Sequence, residues 1–202
     1  MTVILGIDPT TLRDRVDLLE VGHRLDELGE MRNLDALCER AWLLTLGGRL
    51  DDALDAANQA FRLARFTGDR KDIIRPRILR AQVLQYSAKF ADATAELNAC
   101  VTETHTQDWR ALEAVSLHRR GLVSFDQALY EEALADFRAA VKLREILGVP
   151  ADRMENMLIA VAVAESFLDE QTTGEAATGD TDEVRPGAGG PGAPGAGGPG
   201  AL

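Results

Sequence analysis

Apolar residues recur three and four positions apart through most of the chain, the spacing of one face of an α-helix. Leu12, Val16, Leu19, Leu25 and Leu28 form the first such face. Gly29, Gly68 and Gly148 each follow an apolar run and precede another, where a left-handed helix stop is expected. Asp8-Pro9 reads as a helix start, an acidic cap followed by proline in the first turn. Asp69, Asp108 and Asp152 stand where new helices begin and can cap them or complement their dipoles. The pattern predicts eight helices, over about 9–28, 32–46, 50–67, 70–87, 90–105, 109–126, 130–147 and 151–169. Pro76 either moves the start of the fourth to about Ile74 or kinks it. From Gln171 the large apolar residues stop, and the chain runs into PGAGGPGAPGAGGPGAL. This composition predicts a helical domain over 1–170 and a disordered tail over 171–202.

The helices repeat in pairs. Ala41, Ala81 and Gly121 are forty residues apart, as are Leu50, Phe90 and Tyr130, and Ala53, Ala93 and Ala133. A fixed period of this size marks stacked supersecondary units. In each pair the first helix carries a small residue, a short turn follows, and the second helix opens on a large apolar residue with alanine three places on. The inner face then continues through Ala57, Leu97 or Phe137 and Ala60, Cys100 or Ala140. Small residues let two helices approach closely, and the larger ones fill the gap to the next pair.

The stretches GGRLDDALDAA, AKFADATAEL and ALYEEALADF resemble tetratricopeptide repeats of the long bacterial type, over about residues 30–150. The forty-residue period exceeds the family's usual thirty-four, and resembles repeats from sensor and protein-interaction regions of bacterial transcription regulators. The resemblance implies an all-α fold, a right-handed α-solenoid of stacked antiparallel helical hairpins. It further implies a concave groove lined by the first helix of each pair. Trp42, Thr45, Arg75, Ile78, Gln82, Gln85, His118, Arg119, Leu122 and Phe125 would face that groove, with Cys38 beside them. The implied function is a non-enzymatic scaffold holding a peptide or protein partner, or else a module that senses a peptide or small ligand.

Charge refines this picture. The net charge of −11 opposes binding to nucleic acid or an anionic membrane. Seven basic residues between Arg62 and Arg80 meet only Asp69 and Asp72, so an acidic partner suits the middle of the groove. Arg40, Arg80 and Arg120 share the forty-residue period with Asp52, Asp92 and Glu132. They form either an ion-pair ladder within each hairpin or a row facing a ligand carboxylate. No phosphate-binding loop, zinc-protease motif or paired-cysteine motif is present, and His23, His105 and His118 share no ligand spacing. Neither a catalytic role nor a cofactor or metal is therefore expected. Cys38 and Cys100 sit at apolar helical positions and read as buried free thiols. MTVILGIDPTTL has no basic segment and only a short apolar run, so a cytoplasmic protein is expected. The last helix is apolar nearly all round. Met157, Val161, Val163 and Phe167 are candidates for an interface with a second copy, a partner protein or the folded-back tail.

Overall fold

A computed structural model describes residues 2–67 and 69–178. Among them are eight α-helices: α1 Leu18–Leu28, α2 Leu34–Leu46, α3 Leu50–Thr67, α4 Ile74–Tyr86, α5 Phe90–Thr106, α6 Arg110–Asp126, α7 Tyr130–Ile146 and α8 Glu155–Thr178. Each helix packs on the next in sequence order, and α4 also touches α2 and α6. No helix among the described residues is long and apolar enough to cross a membrane. Pro76 sits in the first turn of α4, where its missing N–H breaks no bond, and the helix starts at Ile74. The helix α8 runs on to Thr178, past the Gln171 boundary that composition suggests. The rest of the Gly/Pro/Ala segment, and Gly68, lie outside the described residues.

The helical pairs owe their registry to one cap used repeatedly. In the turn after α2, the Gly48 N–H donates to the Thr45 carbonyl and the Arg49 N–H to the Leu44 carbonyl. The same two-bond closure recurs at Ala88, Asp108, Ala128 and Gly148, each with positive φ. Asp108 is therefore the left-handed turn residue itself, and not the cap of the following helix. Inside the pairs the small positions do what their spacing implies. Ala41 and Ala81 are fully buried. A Cβ added at Gly121 would fall 2.5 Å from the Phe137 ring. Glycine on α6 thus makes room for the largest residue of the facing series, where the other pairs set alanine against Leu97 or Ala57.

The first predicted helix is corrected. Residues before α1 form an antiparallel hairpin of β1 Ile4–Ile7 and β2 Asp14–Val16, with Ile4 opposite Val16 and Ile7 opposite Asp14. Asp8 does act as a cap, but of a turn: its Oδ1 accepts from the N–H groups of Thr10 at 2.8 Å and Thr11 at 2.9 Å. Leu12 then takes φ +53° and the Asp8 N–H donates to the Arg13 carbonyl, reversing the chain. The helix begins only at Leu18, where Asp17 accepts from the N–H groups of Leu19 and Glu20. Leu19, which the helical spacing assigns to a core face, is 84% exposed.

The arginine ladder is also corrected. Its acids sit four residues later than the sequence pattern suggests. Arg80 pairs with Glu96. Arg120 grips Asp136 through two bonds of 2.7 Å. The equivalent position in the first pair is Ala56, and Arg40 donates instead to the Gly29 carbonyl. Asp52 pairs with its neighbour Arg49. Around Glu96, burial works against the carboxylate, but bonds from Arg77 and Arg80 outweigh it and hold its pKa below the usual range. Arg70 and Arg77 meet Glu103. Much of the basic stretch is thus neutralised by α5.

Candidate functional site

The face formed by α2, α4 and α6 carries two cavities that share Trp42 and Arg119. The larger, about 480 Å³, lies between the three helices. Its walls are mostly apolar: Cys38 and Trp42 from α2, Ile78 and Leu79 from α4, Leu112 and Val115 from α6. Its volume lies within the range usual for ligand pockets, about 300–1,000 Å³. The Arg75 and Glu39 charges at its edge are engaged, Arg75 with Asp35 at 3.0 Å and Glu39 with Arg24 at 2.8 Å.

Two polar side chains in this cavity are not engaged. Gln82 is 2% exposed, and neither its Nε2 nor its Oε1 has a hydrogen-bond partner. A buried amide left unsatisfied costs about 1–3 kcal/mol, so native proteins seldom tolerate one without a use. Arg119 has no hydrogen bond or ion pair among the described residues. Burial pulls its pKa below the ordinary value for arginine, and Asp14 and Tyr86 oppose that only through space. An apolar cavity with a free amide and an uncompensated guanidinium can take a ligand that carries an amide and an anionic group.

The smaller cavity, about 150 Å³, is what remains where the β1–β2 hairpin lies across α4, α6 and α8. Leu12 is buried with Leu122, Phe125, Ala160 and Ala164. The Arg13 guanidinium stands 4.1 Å from the centre of the Tyr86 ring and ion-pairs with Asp126. Asp126 also accepts from Gln85 Nε2 at 2.7 Å. Burial raises the Asp126 pKa against the opposing effects of Gln85 and Arg13. Burial likewise raises that of Asp14, against Arg119 and Arg13. His118 lines this cavity; its Nδ1 is buried without a partner and its ring lies 5.4 Å from that of Phe137. Desolvation, then the Arg119 and Arg144 charges, push its pKa down to about 3.

The sequence-predicted residues therefore divide. Trp42, Arg75, Ile78, Gln82 and Arg119 line the open cavity, while Gln85, His118 and Leu122 lie at the hairpin end. Thr45 is spent on its own helix, donating to the Ala41 carbonyl at 2.7 Å. Phe125 is core, edge-on to Tyr130 and Phe167. On α8, Met157 is buried against Leu117 and Ala140, while Val161, Val163 and Phe167 are partly buried. The hairpin, through Leu12 and Ile7, is a cover for this helix that the sequence reading did not consider. The sequence pattern assigns Leu12 to a helix face and gives Arg13, Asp14, Tyr86 and Asp126 no place at the hairpin end. The one available signal was the turn chemistry of Asp8-Pro9-Thr10-Thr11. Cys38 and Cys100 are free and buried, their thiols raised by burial to about 11 and about 12. Among the described residues no three His, Cys, Asp or Glu side chains converge as metal ligands. No family model, curated protein or solved structure matches this chain.

Proposed function

We propose that this chain is a non-enzymatic interaction module, a solenoid of tetratricopeptide-like hairpins whose groove holds a peptide or protein partner between α2, α4 and α6. The observation that carries the reading is Gln82, whose amide is buried on the wall of the open cavity with both polar atoms unpaired. A peptide group supplies the donor and acceptor that this amide lacks. An acidic side chain or terminus on the same partner supplies the charge for Arg119, and apolar side chains fit against Trp42 and Leu112. The test is a displayed library of short random peptides selected on the immobilised protein. Selected peptides are expected to be enriched in Asp or Glu. Gln82→Leu should weaken them at least tenfold while raising stability by about 1 kcal/mol, because it removes an unpaired polar group. Unchanged binding, or lost stability, would defeat the reading.

A second reading is a ligand-sensing module of the kind found in regulators. It is favoured by Arg119, which lines the open cavity and faces Asp14 of the hairpin. A ligand anion would compete with Asp14 for that charge. Small-angle scattering separates the two: a sensor changes its radius on binding a selected peptide, and a scaffold does not.

A further inference from the structure

The hairpin before α1 is joined to the helices by its side chains alone. Its backbone hydrogen bonds stay within residues 3–21: Asp8 to Arg13, Leu12 to Asp8, Asp17 to Val3, Val21 to Asp17. Ile7 packs beside Leu12 and Val3 against α1 and α2, and three consecutive side chains make the contacts at the α4–α6–α8 end. Leu12 fills an apolar hole, Arg13 lies over Tyr86 and pairs with Asp126, and Asp14 lines the small cavity together with Arg119. A groove reads a short segment in this way, with pockets for successive side chains, here presented by a turn that holds Leu12 at positive φ. The fit is imperfect. Arg13 Nη1 is buried without a partner, and the Asp14 carboxylate, unlike its backbone, makes no hydrogen bond or ion pair among the described residues. Charges removed from water without full pairing weaken an interaction relative to its contact area.

We propose that the α4–α6–α8 end of the groove is a recognition site for a turn-borne apolar–arginine–acidic segment of a partner protein, with the apolar residue at the turn and the acid entering a strand, which the chain's own hairpin occupies until that segment displaces it. The arginine is the specificity element, because Tyr86 and Asp126 present a ring face and a carboxylate together, and Gln85 holds the carboxylate in place. The apolar residue supplies the buried area and the acid meets Arg119. A second copy of the chain is a poorer occupant. In a second copy Leu12 and Arg13 already fill that copy's own seat. This site shares Trp42 and Arg119 with the cavity around Gln82 but not Gln82 itself, Tyr86 or the Leu12 hole, so Gln82→Leu tests the groove reading and Asp126→Arg this proposal.

The test uses the wild-type chain and a synthetic peptide spanning residues 2–17. Hydrogen exchange is followed at the chain's own hairpin amides while peptide is added to millimolar concentration. Displacement should speed exchange over residues 3–16 at least fivefold, leaving α3 and α5 unaffected. A peptide with Arg13→Glu should do nothing. In a full-length Leu12→Ser, Arg13→Glu chain, whose own occupant is weakened, the fluorescently labelled wild-type peptide should bind at least tenfold tighter than to the wild-type chain. The Asp126→Arg chain should reverse the preference, taking the Arg13→Glu peptide over the native one. Unaltered exchange at saturating peptide overturns the proposal, because the hairpin is then a fixed part of the core. So does loss of cooperative melting in the Leu12→Ser, Arg13→Glu chain. Binding of the Arg13→Glu peptide to the wild-type chain as tightly as the native one also overturns it.

Discussion

At the scale of single residues, the left-handed turn positions record where the repeat is under strain. Gly48 and Gly148 adopt positive φ at no steric cost, while Ala88 and Ala128 hold φ values of 56° and 57° with a Cβ. Ala128→Gly should therefore stabilise the protein by about 0.5–1 kcal/mol, once the extra chain entropy of glycine is subtracted from the relieved strain. Urea melts of the variant and the parent would check this, and a destabilised variant would be inconsistent with the turn described. Gly121 is the opposite case. It is helical, so alanine suits its backbone, but the Phe137 ring occupies the space a methyl needs. Gly121→Ala should cost about 1–3 kcal/mol by overpacking. The companion change Phe137→Leu should make Gly121→Ala less harmful, which a double-mutant cycle measures.

At the scale of elements, ion pairing distinguishes what a period can show from what it cannot. Arg120 and Asp136 form a two-bond pair in a half-buried seam, whereas Asp52 and Arg49 meet in solvent. Asp136→Asn should cost about 1–3 kcal/mol and Asp52→Asn less than about 0.5, read from denaturant midpoints. Equal effects would mean that the seam is not holding α6 to α7. Much of this level is legible in the chain. The forty-residue echo places α2 to α7 within a few residues, because each pair repeats the same cap, small residue and large residue. The partner of each arginine is less legible, because Asp92 belongs to an acidic position kept in all three pairs and Glu96 to one kept in only two, yet the helix crossing selects Glu96. The hairpin was illegible for a different reason. Leu12, Val16 and Leu19 have helical spacing by coincidence, and the tertiary burial of Leu12 among α6, α7 and α8 overrides it. Around the open cavity, Cys38, Trp42, Arg75, Ile78, Gln82 and Arg119 are among the residues the resemblance implies, while Glu39, Leu79, Leu112 and Val115 are not. That Gln82 and Arg119 would be unpaired could not be read from the repeat, since pairing depends on neighbours far along the chain.

At the scale of the whole molecule, buried titratable groups make stability depend on pH in a defined direction. His118 is neutral in the folded protein until about pH 3, whereas its ordinary value is 6.5. Between these values the unfolded chain takes a proton that the folded chain refuses, so stability falls as the pH drops below about 6.5. Asp14 and Asp126, both raised, act in the opposite sense: the folded state accepts their protons first as acidity increases. The histidine titrates first on acidification, so the protein should be about 1–2 kcal/mol less stable at pH 5 than at pH 7. His118→Leu should flatten that slope in urea titrations at the two pH values.

The hairpin also ties together parts of the chain that are made at different times. The Arg13–Asp126 pair spans 113 residues, and the apolar hole for Leu12 includes Ala160 and Ala164 of α8. The repeats need only near neighbours, so α2 to α5 can assemble while the ribosome is still translating. The hairpin must wait for nearly the whole described sequence before its seat exists. Its docking is the one step with a long loop to close, and it belongs at the end of folding. During synthesis the face it later covers is bare, and a nascent chain presents that face to its surroundings before it can present its finished form.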